Sequence, residues 1–306
     1  MPFVDAEALA RALPMTVAID ALEAAFGADR LPEAPLRTHV DTQGGTLLLM
    51  PAFGAQGVGV KLVTLTPSNQ ERGLPFIHAV YALFEAETQA PVALLDGAAL
   101  TAIRTAAVSG LATRHLARAG ASQLAIFGAG VQARSHLRAM LAVRPIEDVV
   151  VVSRTPERGT ALAREASEAG VSARVGAADD VADRDLVCTC TTSATPVFDG
   201  SLLAPGTHVN AVGAYRPDLR ELDTEAIRRA RVAVETREAA MEEAGDLLIA
   251  MNEGAIDEEH VVADLSQVVR GAQVRRSEED ITVFKSVGVA FEDLVVARAA
   301  VGRLGT

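Results

Sequence analysis

The sequence opens without a basic stretch leading into an apolar one, so no secretory signal is expected. No apolar run reaches the roughly 18 residues needed to cross a bilayer, which excludes a helical membrane span. Positive charge is in deficit. The 28 Lys and Arg face 40 Asp and Glu, and the net charge of −12 argues against nucleic acid or an anionic membrane as main partner. A small anionic ligand stays open, because local cation clusters decide that. Cysteine is scarce. Cys188 and Cys190 sit two apart on one face of a strand-like stretch, a poor geometry for a disulfide, and no neighbouring His or Cys completes a metal pair. Buried thiols in a cytoplasmic protein are expected. Internal repeats and low-complexity tracts are also missing. With 49% apolar residues over 306 positions, the chain is expected to fold, with room for two cores.

What is present divides into two blocks. Asp5 to Leu13 and Met15 to Phe26 carry apolar residues at helical spacing, split by Pro14. Strands are predicted at Thr46 to Met50, Val58 to Leu65, Ile77 to Phe84 and Val92 to Leu95. Ala98 to Leu116 reads as one long Ala-rich helix. From Gln123 onward short apolar strands alternate with helices, the spacing of a parallel sheet. Helical segments are predicted over Arg237 to Met251 and Glu258 to Val269. The tail, Ile281 to Leu304, reads as strand then helix and is too apolar to hang free. The expected class is α/β: a Rossmann dinucleotide-binding domain over 118–280, and a discontinuous α+β domain from 1–117 with 281–306.

Gly128-Ala129-Gly130-Val131-Gln132-Ala133 fits G-x-G-x-x-A. Alone the string is weak, but it follows an apolar strand and opens a predicted helix. Gly128 allows the tight turn, Gly130 lets a pyrophosphate approach the backbone, and Ala133 lets helix and strand pack closely. The helix N-terminus then offers its unpaired N–H groups to the phosphates. The second strand, Val149 to Val152, ends in Ser153-Arg154-Thr155 rather than in the acid that bonds a ribose 2′-hydroxyl. Arg154 can grip a 2′-phosphate and the two hydroxyls can donate to it. NADP(H) is therefore the expected cofactor, with NAD(H) as the alternative.

Arg37, Lys61 and Arg104 lie in otherwise apolar surroundings. Buried cations need an anion. Two sources stay open: a substrate carboxylate, or a protein acid such as Glu85 or Asp96.

Several segments carry a resemblance. They are Leu48-Leu49-Met50-Pro51, Val60-Lys61-Leu62-Val63, the run from Leu100 to Ala107, Gly128 to Ala133, Asn210 to Ala214, Arg216-Pro217-Asp218 with Arg220 to Asp223, and Thr282 to Gly288. In these the chain resembles the ornithine cyclodeaminase/mu-crystallin family nearly end to end. The resemblance implies a homodimer whose first domain is completed by the C-terminal helix, with a substrate site between that domain and the Rossmann domain. It implies that Arg37, Lys61 and Arg104 hold a substrate carboxylate, with Met50, Ser286 and Val287 close to the substrate. Arg104, Thr105, Val131, Gln132, the Ser153-Arg154-Thr155 turn, Thr191, Val212, Gly213 and Ser286 match cofactor positions.

One departure is informative. Cyclodeaminases carry a catalytic Asp after the Gly-Gly that follows the fifth strand; here Gly213-Ala214 is followed by Tyr215. The chain is closer in this stretch to mu-crystallin and bacterial ketimine reductases. The expected activity is NADPH-dependent reduction of a small α-imino acid, a cyclic ketimine such as Δ1-pyrroline-2-carboxylate or Δ1-piperideine-2-carboxylate. Rival readings are an alanine-dehydrogenase-like or iminosuccinate-type reductase, an ornithine cyclodeaminase, and a non-catalytic NADPH-binding protein. Orientation of the substrate should supply most of the acceleration. Lys61 and His78 are the candidates for a general acid, and Tyr215 for a hydrogen bond or a pocket wall.

Overall fold

The computed structural model describes residues 1–305. The chain divides into two compact units, one made of residues 1–104 with 289–306 and one of residues 105–288. The first unit is discontinuous in sequence, with divisions after 104 and 288 where the sequence reading put them after 117 and 280. The long helix spans the first boundary. The strand at the second pairs inside the dinucleotide sheet, so only the helix after it returns to the first unit.

The first unit holds a six-stranded sheet. Its strands are β1 (Phe3–Val4), β2 (Thr38–Thr42), β3 (Gly45–Gly54), β4 (Gly57–Leu65), β5 (Ile77–Phe84) and β6 (Pro91–Asp96), in the order β1-β6-β5-β4-β3-β2. All pairings are antiparallel except β1 with β6. The sequence reading missed β2, because Thr38–Thr42 is exposed throughout and gives no apolar alternation. Helices α1 (Ala6–Ala12) and α2 (Met15–Gly27) precede the sheet, and α3 (Gly97–Leu116) leaves it.

Alternation along β4 is strict. Gly57, Gly59, Lys61 and Val63 are buried, while Val58, Val60 and Leu62 are half-buried. Side chains two apart share a face, so Lys61 points with the buried set. The glycine at 59 has a steric reason. A Cβ there would lie 2.0 Å from the Tyr81 hydroxyl, which therefore lies across the strand at that point.

The second unit is an eight-stranded, wholly parallel sheet. Its strands are β7 (Gln123–Phe127), β8 (Asp148–Val152), β9 (Ser172–Val175), β10 (Leu186–Thr189), β11 (His208–Ala211), β12 (Arg231–Val234), β13 (Val261–Asp264) and β14 (Thr282–Lys285). They are arranged β13-β12-β14-β11-β10-β7-β8-β9. Connections run one way from β7 through β8 to β9 and the other way from β10. The topological switch point, where open α/β sheets bind ligands, therefore falls at the carboxyl ends of β7 and β10.

Helices α4 (Val131–Val143), α5 (Pro156–Glu168), α6 (Thr224–Arg229), α7 (Arg237–Glu243), α8 (Gly245–Asn252) and α9 (Leu265–Val269) link these strands. Two sequence expectations change here. The helix predicted over 237–251 is broken at Ala244, because Gly245 packs so tightly that a Cβ would lie 2.0 Å from the Leu219 carbonyl. The helix predicted over 258–269 is interrupted by a strand: Glu258–His260 is a 3-10 turn, Val261–Asp264 pairs with β12, and Leu265–Val269 is α-helical. The β-branched Val261-Val262 suits a strand, and pairing with the neighbouring β12 fixes it as one.

The last helix, α10 (Ala290–Leu304), belongs to the first unit and packs on α2, β3, β4 and β5. Phe291 meets Phe26 edge to face, with ring centroids 5.0 Å apart. The first turn of α10 carries Glu292 and Asp293, both fully buried.

Candidate active site

In the first unit, β4 delivers Lys61 onto the face that α10 covers. Met50 is its register partner on β3 and Tyr81 its register partner on β5, both buried. Lys61 Nζ donates to Asp293 Oδ2 at 2.7 Å. Arg104, on α3, reaches the same carboxylate through Nε at 3.4 Å and donates from Nη1 to Glu292 Oε2 at 3.1 Å. Arg37, in the segment before β2, is close enough for its charge to disfavour the protonated Lys61. Arg37, Lys61 and Arg104 are thus brought together, as the sequence suggested.

Their protein partners are not the suggested ones. Glu85 is used up by the N–H groups of Glu87 and Thr88, and Asp96 by those of Ala98 and Ala99. The carboxylates that Lys61 and Arg104 meet lie about two hundred residues further along the chain, where no local pattern ties them to either cation.

Lys61 is 1% exposed, and burial pulls its pKa down to about 8. The nearby Asp293 carboxylate opposes that fall, and the Arg104 and Arg37 charges add to it. An ammonium has three donors. Among the described residues Asp293 supplies its hydrogen-bond acceptor. The Tyr81 hydroxyl is also buried and has no hydrogen-bond partner among the described residues. Its proton is held tightly, by burial first and by the Asp293 charge second.

His78 does not join this group. It is exposed and pairs with Thr64, one step out of phase with Lys61 and Tyr81, so alternation sends it to the opposite face of the sheet.

In the second unit, the glycine-rich turn follows β7 at the switch point. Gly128 has φ +106°, and a Cβ there would sit 2.6 Å from the Cys190 carbonyl, so only glycine closes this turn. Gly130 caps α4, and a Cβ added to it would meet nothing within 4 Å. That open approach to a helix N-terminus fits a pyrophosphate. Val131 is exposed at the start of the helix and Ala133 is fully buried behind it. Gln132 Oε1 is buried without a hydrogen-bond partner among the described residues, an acceptor that a donor on a bound nucleotide would satisfy. After β8, Ser153 Oγ accepts the Thr155 N–H at 3.2 Å and closes the turn, leaving Arg154 exposed at its tip. No carboxylate stands in that turn. These residues fit a nicotinamide dinucleotide.

Three buried carboxylates fix the loops at the same sheet edge, and the sequence reading gave none of them a role. Glu221 accepts from the Thr191 N–H at 2.7 Å, the Thr191 hydroxyl at 2.6 Å, the Thr189 hydroxyl at 2.8 Å and the Gly213 N–H at 2.6 Å. Burial and the charge of Asp246 push its pKa up, against the Thr191 bonds and Lys285. Glu235 accepts from the Ser286 hydroxyl at 2.6 Å and from the N–H groups of Val287 and Gly288. Asp246 accepts the N–H groups of Glu221 and Leu222 at 2.7 and 2.8 Å, while its other oxygen lies 2.8 Å from Lys285 Nζ. Lys285 also donates to the Ala214 carbonyl. Thr191, Gly213, Ser286 and Val287 are therefore held by side chains behind them. An acid closing an apolar strand, as in Val232-Ala233-Val234-Glu235, is the signal that could have found one of these.

Val212 is buried and Thr105 is buried on α3. Tyr215 is half-buried in the loop after β11. Asp218, the nearest acid that could replace the absent one, is exposed and bound to Arg216 at 2.8 Å, which holds its carboxyl below the usual range. Cys188 and Cys190 are free thiols, and burial pushes Cys188 up to about 12. Among the described residues there is no cluster of His, Cys, Asp and Glu fit to hold a metal, and no helix long and apolar enough to cross a membrane.

The chain is similar to known proteins in sequence and fold. The chain is 42% identical over 282 residues to a Δ1-pyrroline-2-carboxylate reductase of Bacillus cereus, covering 89% of this chain and 86% of that one. The structure of Thermococcus litoralis Δ1-pyrroline-2-carboxylate reductase, in complex with NADH and L-proline, superposes with TM-score 0.93 at 36% identity, over 99% of this chain and 97% of that one. An archaeal alanine dehydrogenase dimer with bound NAD matches with TM-score 0.93 at 31% identity, over 99% and 95% of the chains. The ornithine cyclodeaminase/mu-crystallin family model matches residues 3–304, and the chain belongs to that family.

Proposed function

We propose that this protein is a nicotinamide-dependent reductase of a small cyclic α-imino acid, Δ1-pyrroline-2-carboxylate first among them, and that it prefers NADP(H). The observation that carries the reading is Lys61, a buried ammonium with a single hydrogen-bond acceptor among the described residues. It stands beside Arg104 and Arg37, so an incoming carboxylate finds donors already desolvated and positioned. The similarity to two proteins whose names or complexes involve a five-membered ring acid supports that substrate class.

When bound, the reduced nicotinamide supplies a hydride. Gly128, Gly130 and the α4 N-terminus would hold its pyrophosphate, and Arg154 with Ser153 and Thr155 would read a 2′-phosphate. Arg37, Lys61 and Arg104 orient the substrate carboxylate, with Met50 beside them. A protonated imine needs no strong general acid, and Lys61 is better placed than His78 to move a proton. Ser286 and Val287, fixed by Glu235, are the proposed contacts near the nicotinamide. Tyr215 takes the place of a catalytic carboxylate, which favours imine reduction over deamination of a diamino acid.

The protein is proposed to act as a homodimer in the cytoplasm. The second face of the six-stranded sheet supports the dimer. Leu47, Leu49, Val60 and Leu62 are only half-buried there, and Val40 and Phe53 are exposed. The free thiols fit a reducing compartment.

A panel of cyclic and acyclic imino acids, followed at the NADPH absorbance, tests the function. Cyclic five- and six-membered ketimines should be turned over fastest. Incubation with L-ornithine and NAD(P)+ should yield no proline, and robust proline formation would restore the cyclodeaminase reading.

A further inference from the structure

The chain contains 26 arginines and two lysines. Outside those two positions every cationic side chain among the 28 Lys and Arg is a guanidinium. Both lysines, Lys61 and Lys285, are 1% exposed, and each faces a buried aspartate, Asp293 at 2.7 Å and Asp246 at 2.8 Å. Where an enclosed ammonium is kept in a chain that otherwise uses arginine, its chemistry differs in two ways. The ammonium is compact, and its proton comes off within reach of physiological pH when it is buried.

From this we infer that Asp293 is a positioning residue for the reaction: it holds Lys61 and Arg104 side by side and keeps Lys61 charged for the substrate carboxylate. Its two oxygens are divided between Lys61 Nζ and Arg104 Nε, so one carboxylate sets the spacing of both cations. Its neighbour Glu292 fixes the other end of the guanidinium through Nη1. An acid in the first turn of a helix also gains from the helix dipole, but that role is met at the surface. Asp293 is fully buried and aimed at the sheet. The charged groups that act on Lys61 are Asp293 from α10, Arg104 from α3 and Arg37 from the segment before β2, with Tyr81 from β5 its register partner and Glu292 one step away on Arg104. Of these Asp293 favours its protonated form. Burial has already drawn its pKa to about 8. Without the Asp293 charge it falls further, and the ammonium is lost at the pH where the enzyme must bind an anion. The inference rests on the proposed imino-acid reductase reading for its consequence, but the link between Asp293 and Lys61 stands in the free protein.

With two lysines, 13Cε-lysine labelling gives an NMR spectrum in which each side chain is read separately, assigned with Lys61→Met. In the wild type the Lys61 signal should titrate near pH 8, and titration close to the ordinary lysine value would overturn the inference. In Asp293→Asn, which keeps size and shape, it should titrate at least about one unit lower while Lys285 stays unchanged, and an unmoved Lys61 would sink the proposal. The alkaline limb of kcat/KM for the cyclic imine should move down with it, giving roughly a tenfold loss per unit on that limb. A role in folding alone would lower the whole profile without moving its limb, and that result also counts against the inference. Where Asp293→Asn does not fold, the wild-type titration decides, and Glu292→Gln should move Lys61 less than about half a unit. If the NMR shifts appear but no imine is reduced by the wild type, the reductase reading fails and the Asp293–Lys61 link survives.

Discussion

Two buried lysine–aspartate pairs, one in each unit, look alike and differ in their surroundings. At Lys285 the arrangement is closed. The ammonium has the Asp246 carboxylate and the Ala214 carbonyl, and the second Asp246 oxygen takes two backbone N–H groups. At Lys61 it is open. The ammonium has one hydrogen-bond acceptor among the described residues, two arginines nearby, and a pKa drawn down by burial. Lys285 thus has a carboxylate and a carbonyl beside it, and Lys61 a carboxylate alone. The proposed substrate site falls at the pair with fewer partners, because an unmet donor in a dry site is costly.

The comparison is broken most severely at the closed pair. Lys285→Met leaves Asp246 buried with its charge uncompensated, and removal of one partner of such a pair costs about 3–5 kcal/mol. Denaturant unfolding should record that loss, along with displaced loops at 213–215 and 221–222. A variant as stable as the wild type would mean that the closed pair is not structural. Lys61→Met should behave otherwise. Asp293 keeps Arg104, so the stability loss should be smaller than at Lys285. The kcat/KM for the imino acid should instead drop at least about tenfold. Wild-type turnover in this variant would remove Lys61 from the site.

Much of this contrast was legible in the sequence, and the rest was not for a definite reason. A cation inside Val58-Gly59-Val60-Lys61-Leu62-Val63 announces itself against an apolar strand, as does a glycine-rich turn between strand and helix. Local pattern found β4, β7, α3 and α4 for the same reason. Partnership across the chain leaves no such trace: Asp293 is separated from Lys61 by 232 positions. Glu221 and Asp246 are fully buried yet read in sequence as ordinary surface acids, and Glu235 is marked only by closing the apolar strand Val232-Ala233-Val234. The strand at Val261–Asp264 failed for a related reason, since only pairing with β12 overrides its helical spacing.

A third test carries the same contrast to the nucleotide sheet. Arg154 is an exposed cation at the tip of a turn closed by Ser153 and Thr155. If it is open in the same sense as Lys61, its partner is the 2′-phosphate. Arg154→Ala should weaken NADPH binding by about tenfold, the scale of a charge-assisted hydrogen bond, and leave NADH binding nearly unchanged. Titration of both cofactors reads the difference directly. Equal losses would show that Arg154 does not read the phosphate and that NAD(H) serves as well.

The smallest effect is expected at Tyr81, and it separates an open site from a poorly packed one. The Tyr81 hydroxyl is buried, has no hydrogen-bond partner among the described residues, and lies across the strand at Gly59, beside Lys61 in register. Burying a hydroxyl without a partner is unfavourable, so Tyr81→Phe should leave the free protein as stable or slightly more so, by about 0.5–1 kcal/mol. The ring keeps its packing and the steric demand on Gly59 falls. If the hydroxyl meets the bound substrate, the same variant raises KM by a few-fold with little change in kcat, since it removes binding shared by ground state and transition state. Thermal melts with and without L-proline, run beside steady-state kinetics, measure both halves. A destabilised free protein with unchanged KM would mean that the hydroxyl already has a partner within the fold, and that the open region around Lys61 is narrower than the geometry of β4 and β5 suggests.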